Sequence, residues 1–447
     1  MINRWLFTQI DNSALIIFRV FFGFLIAAEA FGAIFTGWIK RTLIEPEFTF
    51  NFIGLDFLQP LPGNGMYFYF AVMGVFGLLV MIGYKYRWSI IAYTIMWAGV
   101  YFMQKSSYNN HYYLLFLLLI MMSVLPAGNY FSIDVKRKPS LKKIAMPRWC
   151  VLLIIAQLWI VYTYASVAKL YPDWLDYTVA KNLMLGKINY PIVGQLLQHH
   201  WSHISITYFG ILFDLLIVPL LLWRKTRFTA FCMSIFFHLF NSIVFQIGIF
   251  PYMSLAFTVF FFSRERMHQV FMKKKEFYSD NEIIVPSYKK PLLILASIWF
   301  VIQIALPLRH WVIPGDVLWT EEGHRMSWRM MLRGRSGMTN FYILDKNDPN
   351  AKKKYVNKND YLSKKQLRTV STKPDAMWQF AQRLKKEYDT KGKDVAVYVK
   401  SKVSVNGKKH RDFIDPKVDL ASVPWNYFAT NPWIIKYPEV NDSEQKE

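Results

Sequence analysis

Residues 13–35 read SALIIFRVFFGFLIAAEAFGAIF, an apolar stretch whose only ionisable side chains are Arg19 and Glu29. A helix needs about 20 apolar residues to cross the hydrocarbon of a bilayer, and this run has that length. Outward along the chain the pattern recurs at 66–83, 89–103, 111–126, 149–168, 204–223, 228–248 and 291–308. A soluble core could bury one or two such runs, not eight. The apolar stretch 251–262 is shorter, fitting either a truncated span or half of a broken helix. Residues 1–11 are too polar for a signal peptide and no small-residue cleavage site follows, so 13–35 is expected to be a retained first helix.

Charge sets the expected topology, because cytoplasmic loops collect Lys and Arg. Basic clusters lie at 85–87, 136–143, 224–227 and 264–275. With the N-terminus in the cytoplasm and the runs alternating, the first three clusters face the cytoplasm; the fourth does so if 251–262 also crosses. The fold expected is an α-helical polytopic membrane protein of about nine membrane segments at 1–308, followed by an extracytoplasmic domain at 309–447. The net charge of +23 would by itself suggest a nucleic-acid partner. On a chain that is 53% hydrophobic and 18% aromatic, several of those charges instead orient membrane segments.

After residue 308 the apolar runs stop. The stretch 338–344 is strand-like, 373–388 reads as an amphipathic helix with Pro374 in its first turn, and Asn406-Gly407 between 395–405 and 411–414 signals a hairpin. The Lys-rich stretch 345–365 reads as a loop, so this domain is expected to be strand-rich α+β. Cys150 and Cys232 both fall inside apolar runs, where a disulfide is not expected and burial as small apolar side chains is.

Ionisable residues at apolar depth are costly and tend to face interior cavities. The scan yields Arg19, Glu29, His111, Lys169, Asp214 and His238. Arg19 and Glu29 are most simply structural contacts, and Asp214 could neutralise a charge on a neighbouring helix. Lys169 ends the fifth run at the outer face. It either snorkels to the interface or is desolvated there, which disfavours its ammonium and leaves a neutral amine able to act as a base. Topology brings His111 to the same depth. His199, His200 and His203 fit a solvated loop better than a metal site. No metal-ligand spacing, phosphate loop or nucleophile elbow appears, so no metal is expected.

Several stretches together resemble the vitamin K-dependent gamma-glutamyl carboxylase family, with an HTTM-type membrane domain. They are 57–62 (FLQPLP), 108–111 (YNNH), 167–174 (VAKLYPDW), 237–242 (FHLFNS), 248–252 (GIFPY), 327–331 (SWRMM), 333–336 (RGRS) and 413–419 (FIDPKVD). The resemblance implies oxygenation of reduced vitamin K to its epoxide, which generates a strong base, removal of a γ-proton from a peptide glutamate, and addition of CO2. It implies that Lys169 deprotonates the hydroquinone, that His111 with Asn110 stabilises the resulting oxyanion, and that His238 lies near the same site. Ser327, Trp328, Arg333 and Arg335 fall in the segment that handles the glutamate, where a guanidinium suits a carboxylate.

Animal members have a second lysine where this chain has Ala168 and a histidine where it has Arg333. They also extend further at the C-terminus. The shorter chain looks bacterial, which points to an inner membrane and to menaquinol as a possible native quinone. The expected partners are the bilayer and a Glu-containing peptide, with no nucleic acid. Two alternatives stay open: a quinone epoxidase without peptide carboxylation, and a non-catalytic lipid-binding or transport protein.

Overall fold

A backbone N–H or C=O without a partner costs several kcal/mol in hydrocarbon, and a helix pairs all of its own within one segment. In the computed structural model, which describes residues 2–436, every apolar run above is helical. The helices are α1 (Ser13–Phe35), α2 (Gly65–Ile82), α3 (Tyr86–Met103), α4 (Asn110–Val124), α5 (Trp149–Val167), α6 (His200–Leu222), α7 (Arg227–Phe245), α8 (Phe250–Ala256) and α9 (Lys289–Val312). Six of them, α1, α2, α5, α6, α7 and α9, are long and apolar enough to cross a membrane. The expected nine segments thus resolve into six long helices and three lesser ones. Of the latter, α3 has the length but is more polar, and α4 has 15 residues. The third, α8, continues into a 3-10 turn over Phe257–Phe260. At 1.5 Å per residue, Phe250–Phe260 reaches roughly 16 Å, about half of the hydrocarbon thickness.

The basic clusters gather at one end of the bundle. A short antiparallel pair of β1 (Gln9–Asp11) and β2 (Ala145–Pro147) closes that end. Lys275 forms an ion pair with Asp11 at 2.5 Å, and Asp134 accepts from the Lys85 N–H at 2.7 Å. At the start of α7, the Phe231 ring lies 5.2 Å from that of Phe262, just before the fourth cluster. Arg19, wholly buried, donates to the carbonyls of Ala127, Tyr130 and Phe131. That makes it the structural contact expected. α1 and α2 pack backbone to backbone: a Cβ added to Gly23 would meet Met81 N at 2.4 Å, and one on Gly77 would meet Ala27 N at 2.8 Å. Small residues permit such approach where no hydrophobic force drives helices together.

Beyond α9 the chain forms an antiparallel sheet in the order β4-β3-β5-β6, from β3 (Arg335–Asp345), β4 (Lys354–Val356), β5 (Val395–Val405) and β6 (Arg411–Asp412). Two helices, α10 (Lys364–Val370) and α11 (Pro374–Thr390), accompany it. Met377, Phe380, Ala381 and Leu384 of α11 are buried with Phe341, Val397 and Val399 of the sheet, which is the 3.6-residue period meeting the 2-residue one. The stretch 345–365, expected as loop, contains β4 because Val356 buries into this core and Tyr355 meets Tyr342 across the strands at 6.0 Å. Asn406 and Gly407 make the hairpin turn with φ of 54° and 82°. α9 runs past residue 308 to Val312.

The two cores exchange side chains. Phe50, from the loop after α1, belongs to the core of the outer domain, and Trp328, from beyond α9, belongs to the core of the membrane bundle. Asn406 adds a polar link, donating to Asp173 at 2.9 Å and accepting from the Gly334 N–H at 3.0 Å.

Candidate active site

The site starts at a helix cap. Asn109 accepts from the Tyr112 N–H at 2.7 Å, satisfying a donor that the first turn of α4 leaves free. That cap places Asn110 and His111 at the head of α4. The Asn110 amide accepts from the Tyr108 hydroxyl at 2.7 Å and donates to the Arg329 carbonyl at 3.0 Å; the Met326 N–H donates to the same tyrosine oxygen at 2.6 Å. The head of α4 is thereby fastened to the loop 321–333.

Beneath it lies an apolar cavity of about 860 Å³, counting its mouth, lined by His111, Lys169, Asp214, His238 and by apolar side chains such as Leu158 and Phe237. Lys169 does not snorkel. Its side chain is 8% exposed, it forms an ion pair with Asp214 of α6, and its Nζ donates to the Ala165 carbonyl at 2.9 Å and sits 5.7 Å over the Trp174 ring. Asp214 therefore does neutralise a charge from a neighbouring helix, that of Lys169. His111 stacks on Phe250 at 4.0 Å, and His238 meets the same ring edge-on at 6.2 Å. Phe250 is in place because Gln246 and Gly248, with φ of 52° and 64°, reverse the chain between α7 and α8. His238 Nε2 lies 3.2 Å from the Tyr162 hydroxyl, and its buried Nδ1 has no partner. A flat aromatic diol fits such a site, with apolar faces for the ring and the orphaned Nδ1 for an oxygen.

Above it, a chamber of about 1820 Å³ with its mouth opens between the bundle and the outer domain, lined by Glu29, Asn110, His111, His324, Arg329 and Arg333 among others. His111, Ile247, Phe250, Met330 and Met331 line both spaces, forming a shared wall. Glu29 accepts from the Tyr112 hydroxyl at 2.7 Å, a structural contact that also faces the chamber. Arg333 is fully engaged: Nε donates to Glu321 at 2.7 Å, NH2 binds the same carboxylate, and NH1 meets His324 Nε2 at 3.0 Å. Glu321 also receives Lys373 at 2.6 Å and Arg335 at 3.4 Å. Burial pushes the Glu321 carboxyl up, but these three cations outweigh it and hold the group well below the usual range. Burial, reinforced by Arg333, holds His324 well below an ordinary histidine, so it is neutral.

The loop 321–333 carries backbone strain. Met326, Trp328 and Met331 have φ of 56°, 56° and 53° without being glycine. Such outliers persist where surroundings over-determine them and cluster at functional sites. Here Trp328, 1% exposed and stacked on Tyr113 at 4.9 Å, pins the loop into the membrane core.

The structure thus brings Lys169, His111 and His238 to one cavity and places Asn110, His111 and Arg333 on the other. Ser327, Trp328 and Arg335 line neither. The Ser327 hydroxyl donates to the His324 carbonyl, and Arg335 donates to the carbonyls of Leu318 and Trp319 at 2.6 and 2.8 Å. Sequence reasoning missed His324 and Arg329, although Arg329 stands inside the quoted 327–331 stretch, because nothing in spacing says which arginine has a counter-ion. His203 is buried on the Leu197 carbonyl at 3.0 Å. Among the described residues no group of three His, Cys, Asp or Glu side chains is arranged to hold a metal, and both cysteines are free, Cys150 buried and Cys232 exposed.

Two family models match the chain in tandem. The HTTM domain matches residues 7–265, and the lumenal domain of vitamin K-dependent gamma-carboxylase matches residues 288–440. No solved structure matches it. The first match covers more than half of the chain, and the second covers the outer domain that shares the chamber. The order and extent of the two bear out the motif resemblance: the chain is an integral membrane protein with an extracytoplasmic C-terminal domain and belongs to the gamma-carboxylase-like family of HTTM-domain proteins.

Proposed function

We propose that the protein couples oxygenation of a reduced naphthoquinone in the inner cavity to carboxylation of a peptide glutamate in the outer chamber. One observation carries this reading: the apolar cavity and the polar chamber share the wall of His111 and Phe250. When bound, reduced vitamin K with O2 supplies, on its way to the epoxide, a base stronger than any side chain. The sum consumes hydroquinone, O2, CO2 and a glutamate γ-C–H, and releases epoxide, water and γ-carboxyglutamate.

The protein's own part is positioning and proton handling. Lys169, paired with Asp214, would be the group that takes the hydroquinone proton. His111 would donate to the oxygen left charged, and the unpartnered His238 Nδ1 would bond the ring's other oxygen. Asn110 keeps His111 and the 321–333 loop in register. Arg333 faces the entering glutamate, whereas Ser327, Trp328 and Arg335 act by holding the loop. We place the N-terminus in the cytoplasm of a bacterial cell, in its inner membrane, with menaquinol as the native quinone.

The test is purified protein in lipid nanodiscs with reduced vitamin K, O2, labelled CO2 and a Glu-containing peptide. Epoxide together with labelled peptide supports the proposal. Epoxide without label identifies a quinone oxygenase, and neither product, with quinone still bound, identifies a lipid-binding protein.

A further inference from the structure

Residues 172–203 connect α5 to α6 along the outer face. From 188 to 198 they read INYPIVGQLLQ, without one Asp, Glu, Lys or Arg. Ile188, Ile192 and Leu196 are exposed, Ile192 to 99%. Ile192 also has φ of 66°, a conformation that a β-branched residue rarely takes. The turn is nevertheless closed on itself. The Gly194 N–H donates to the Tyr190 carbonyl and the Leu197 N–H to the Val193 carbonyl, both at 3.0 Å. The Gln198 amide donates to the Met184 and Gly194 carbonyls at 2.9 and 3.1 Å. A turn that satisfies its own backbone while presenting isoleucine outward suits an interface where water is scarce.

Its neighbours fix its depth. Trp201 heads a stripe of exposed side chains on α6, with Tyr208, Leu212 and Leu215 at helical spacing. Since α6 is long and apolar enough to span, this stripe faces lipid, and tryptophan favours the level where acyl chains meet headgroups. His203, in the first turn of α6, bonds the Leu197 carbonyl at 3.0 Å and so ties the turn beside Trp201. From above, the outer domain holds the same segment: Asn182 donates to the Asn406 carbonyl at 3.0 Å, and Asp173 pairs with Lys408 at 2.8 Å. On the inward side, Leu183, Val193 and Leu197 pack with Ile206 of α6 and with Val244 and Phe245 of α7. Leu183, Ile206 and Phe245 of this cluster also line the inner cavity.

We propose that the turn 188–196 docks into the outer leaflet of the bilayer and marks where a lipid tail passes between that leaflet and the inner cavity. The occupant of the exposed face is lipid, because the face continues the lipid-facing stripe of α6 and carries no charge. An apolar tail needs an unbroken apolar path, and the cluster behind the turn joins that face to the cavity wall. The passage rests on reading the cavity as a quinone site; the docking does not.

The test puts a bimane fluorophore on Ile192→Cys, in a Cys232→Ala background, in nanodiscs holding a single protein molecule. Cys150 is buried and stays unlabelled. Lipids with a nitroxide at shallow or deep acyl positions quench by depth, and aqueous iodide quenches what lies in water. The label at 192 is expected about 5–10 Å into the boundary of headgroups and acyl chains, out of reach of iodide. The same label at Lys391→Cys, exposed on the outer domain, should show the reverse. Leu196→Cys reports independently should Ile192→Cys not fold. Free access of iodide to 192 without lipid quenching overturns the docking. So does shielding that arises only when two molecules share a disc, which makes a second copy the occupant. Calorimetry with phylloquinone and tail-less menadione tests the passage. Ile192→Asp should weaken phylloquinone binding and leave that of menadione unchanged; equal loss of both, or of neither, overturns the passage. Depth is read without quinone or turnover, so a docked turn on a protein that makes no epoxide overturns the proposed reaction and leaves the docking standing.

Discussion

In the cavity beneath His111, the ammonium of Lys169 sits against the carboxylate of Asp214, and the remaining wall is mostly apolar. In the chamber above, among the described residues no carboxylate lies within ion-pair distance of Arg329, and Arg333 shares Glu321 with two other cations. One space pairs its ions one to one, and the other gathers several cations around Glu321, with Glu29 on the opposite wall. On the proposed reaction, the difference follows from what each space would admit. A ring with a lipid tail enters from the bilayer as a neutral molecule, so a resident unpaired ion there would only add desolvation cost. A carboxylate brings its own charge, and a cation already desolvated and oriented receives it without further reorganisation.

The sharpest way to break this contrast is Lys169→Ala. Loss of a positioned base lowers a rate by about 10²–10⁴-fold, so epoxide formation should fall by that much while Glu-peptide binding is unchanged. A retained epoxidation rate would remove Lys169 from the chemistry. His111→Ala, on the shared wall, should lower the turnover number by about 10²-fold. Since the wall belongs to both spaces, carboxylation should fall in step with epoxidation; a loss confined to one product would separate the two cavities.

Between the two domains the contrast extends to Lys105, buried with Asp375 at 2.5 Å, where Asp375 also binds Arg325 at 2.5 Å. Burial pushes the Lys105 ammonium down from 10.5 to about 8, outweighing the pull of Asp375. Asp375, with two cations on it, is instead held well below the usual carboxylate range even though burial works the other way. Between pH 8 and pH 10.5 the unfolded chain keeps a proton that folded Lys105 has lost, so this group makes stability rise with pH across that window. The rise amounts to about 3 kcal/mol, and Lys105→Met should abolish it; identical pH dependence of the thermal midpoint in both proteins would refute the assignment. The smallest expected effect is that of Ser327→Ala. It removes the donor to the His324 carbonyl at a cost of about 1 kcal/mol, lowering the thermal midpoint slightly while the KM for peptide stays the same. A large rise in KM would return Ser327 to direct substrate contact.

Much of the site was legible because membrane burial is expensive enough to mark residues singly. Lys169, His111, His238 and Asp214 stand out as ionisable groups in apolar runs, and the first two, expected at one depth, line the same cavity. The Asn406-Gly407 hairpin and the Pro374 helix start were equally plain, since each rests on local backbone preference. What spacing could not supply was pairing. Lys169 with Asp214 joins α5 to α6, and the partition of Glu321 among three cations depends on how the loop 321–333 folds under the bundle.

By itself, then, the sequence determined the membrane-spanning fold, the grouping of basic clusters and the short list of buried ionisable residues. Apolar runs and charges bear on those through local and per-residue energies. Only the tertiary structure decided which charges pair, and that Glu321 holds Arg333 while Arg329 turns to His310. Those outcomes depend on distances between segments far apart in the chain, and an ion's fate in a low-dielectric interior is set by its nearest partner.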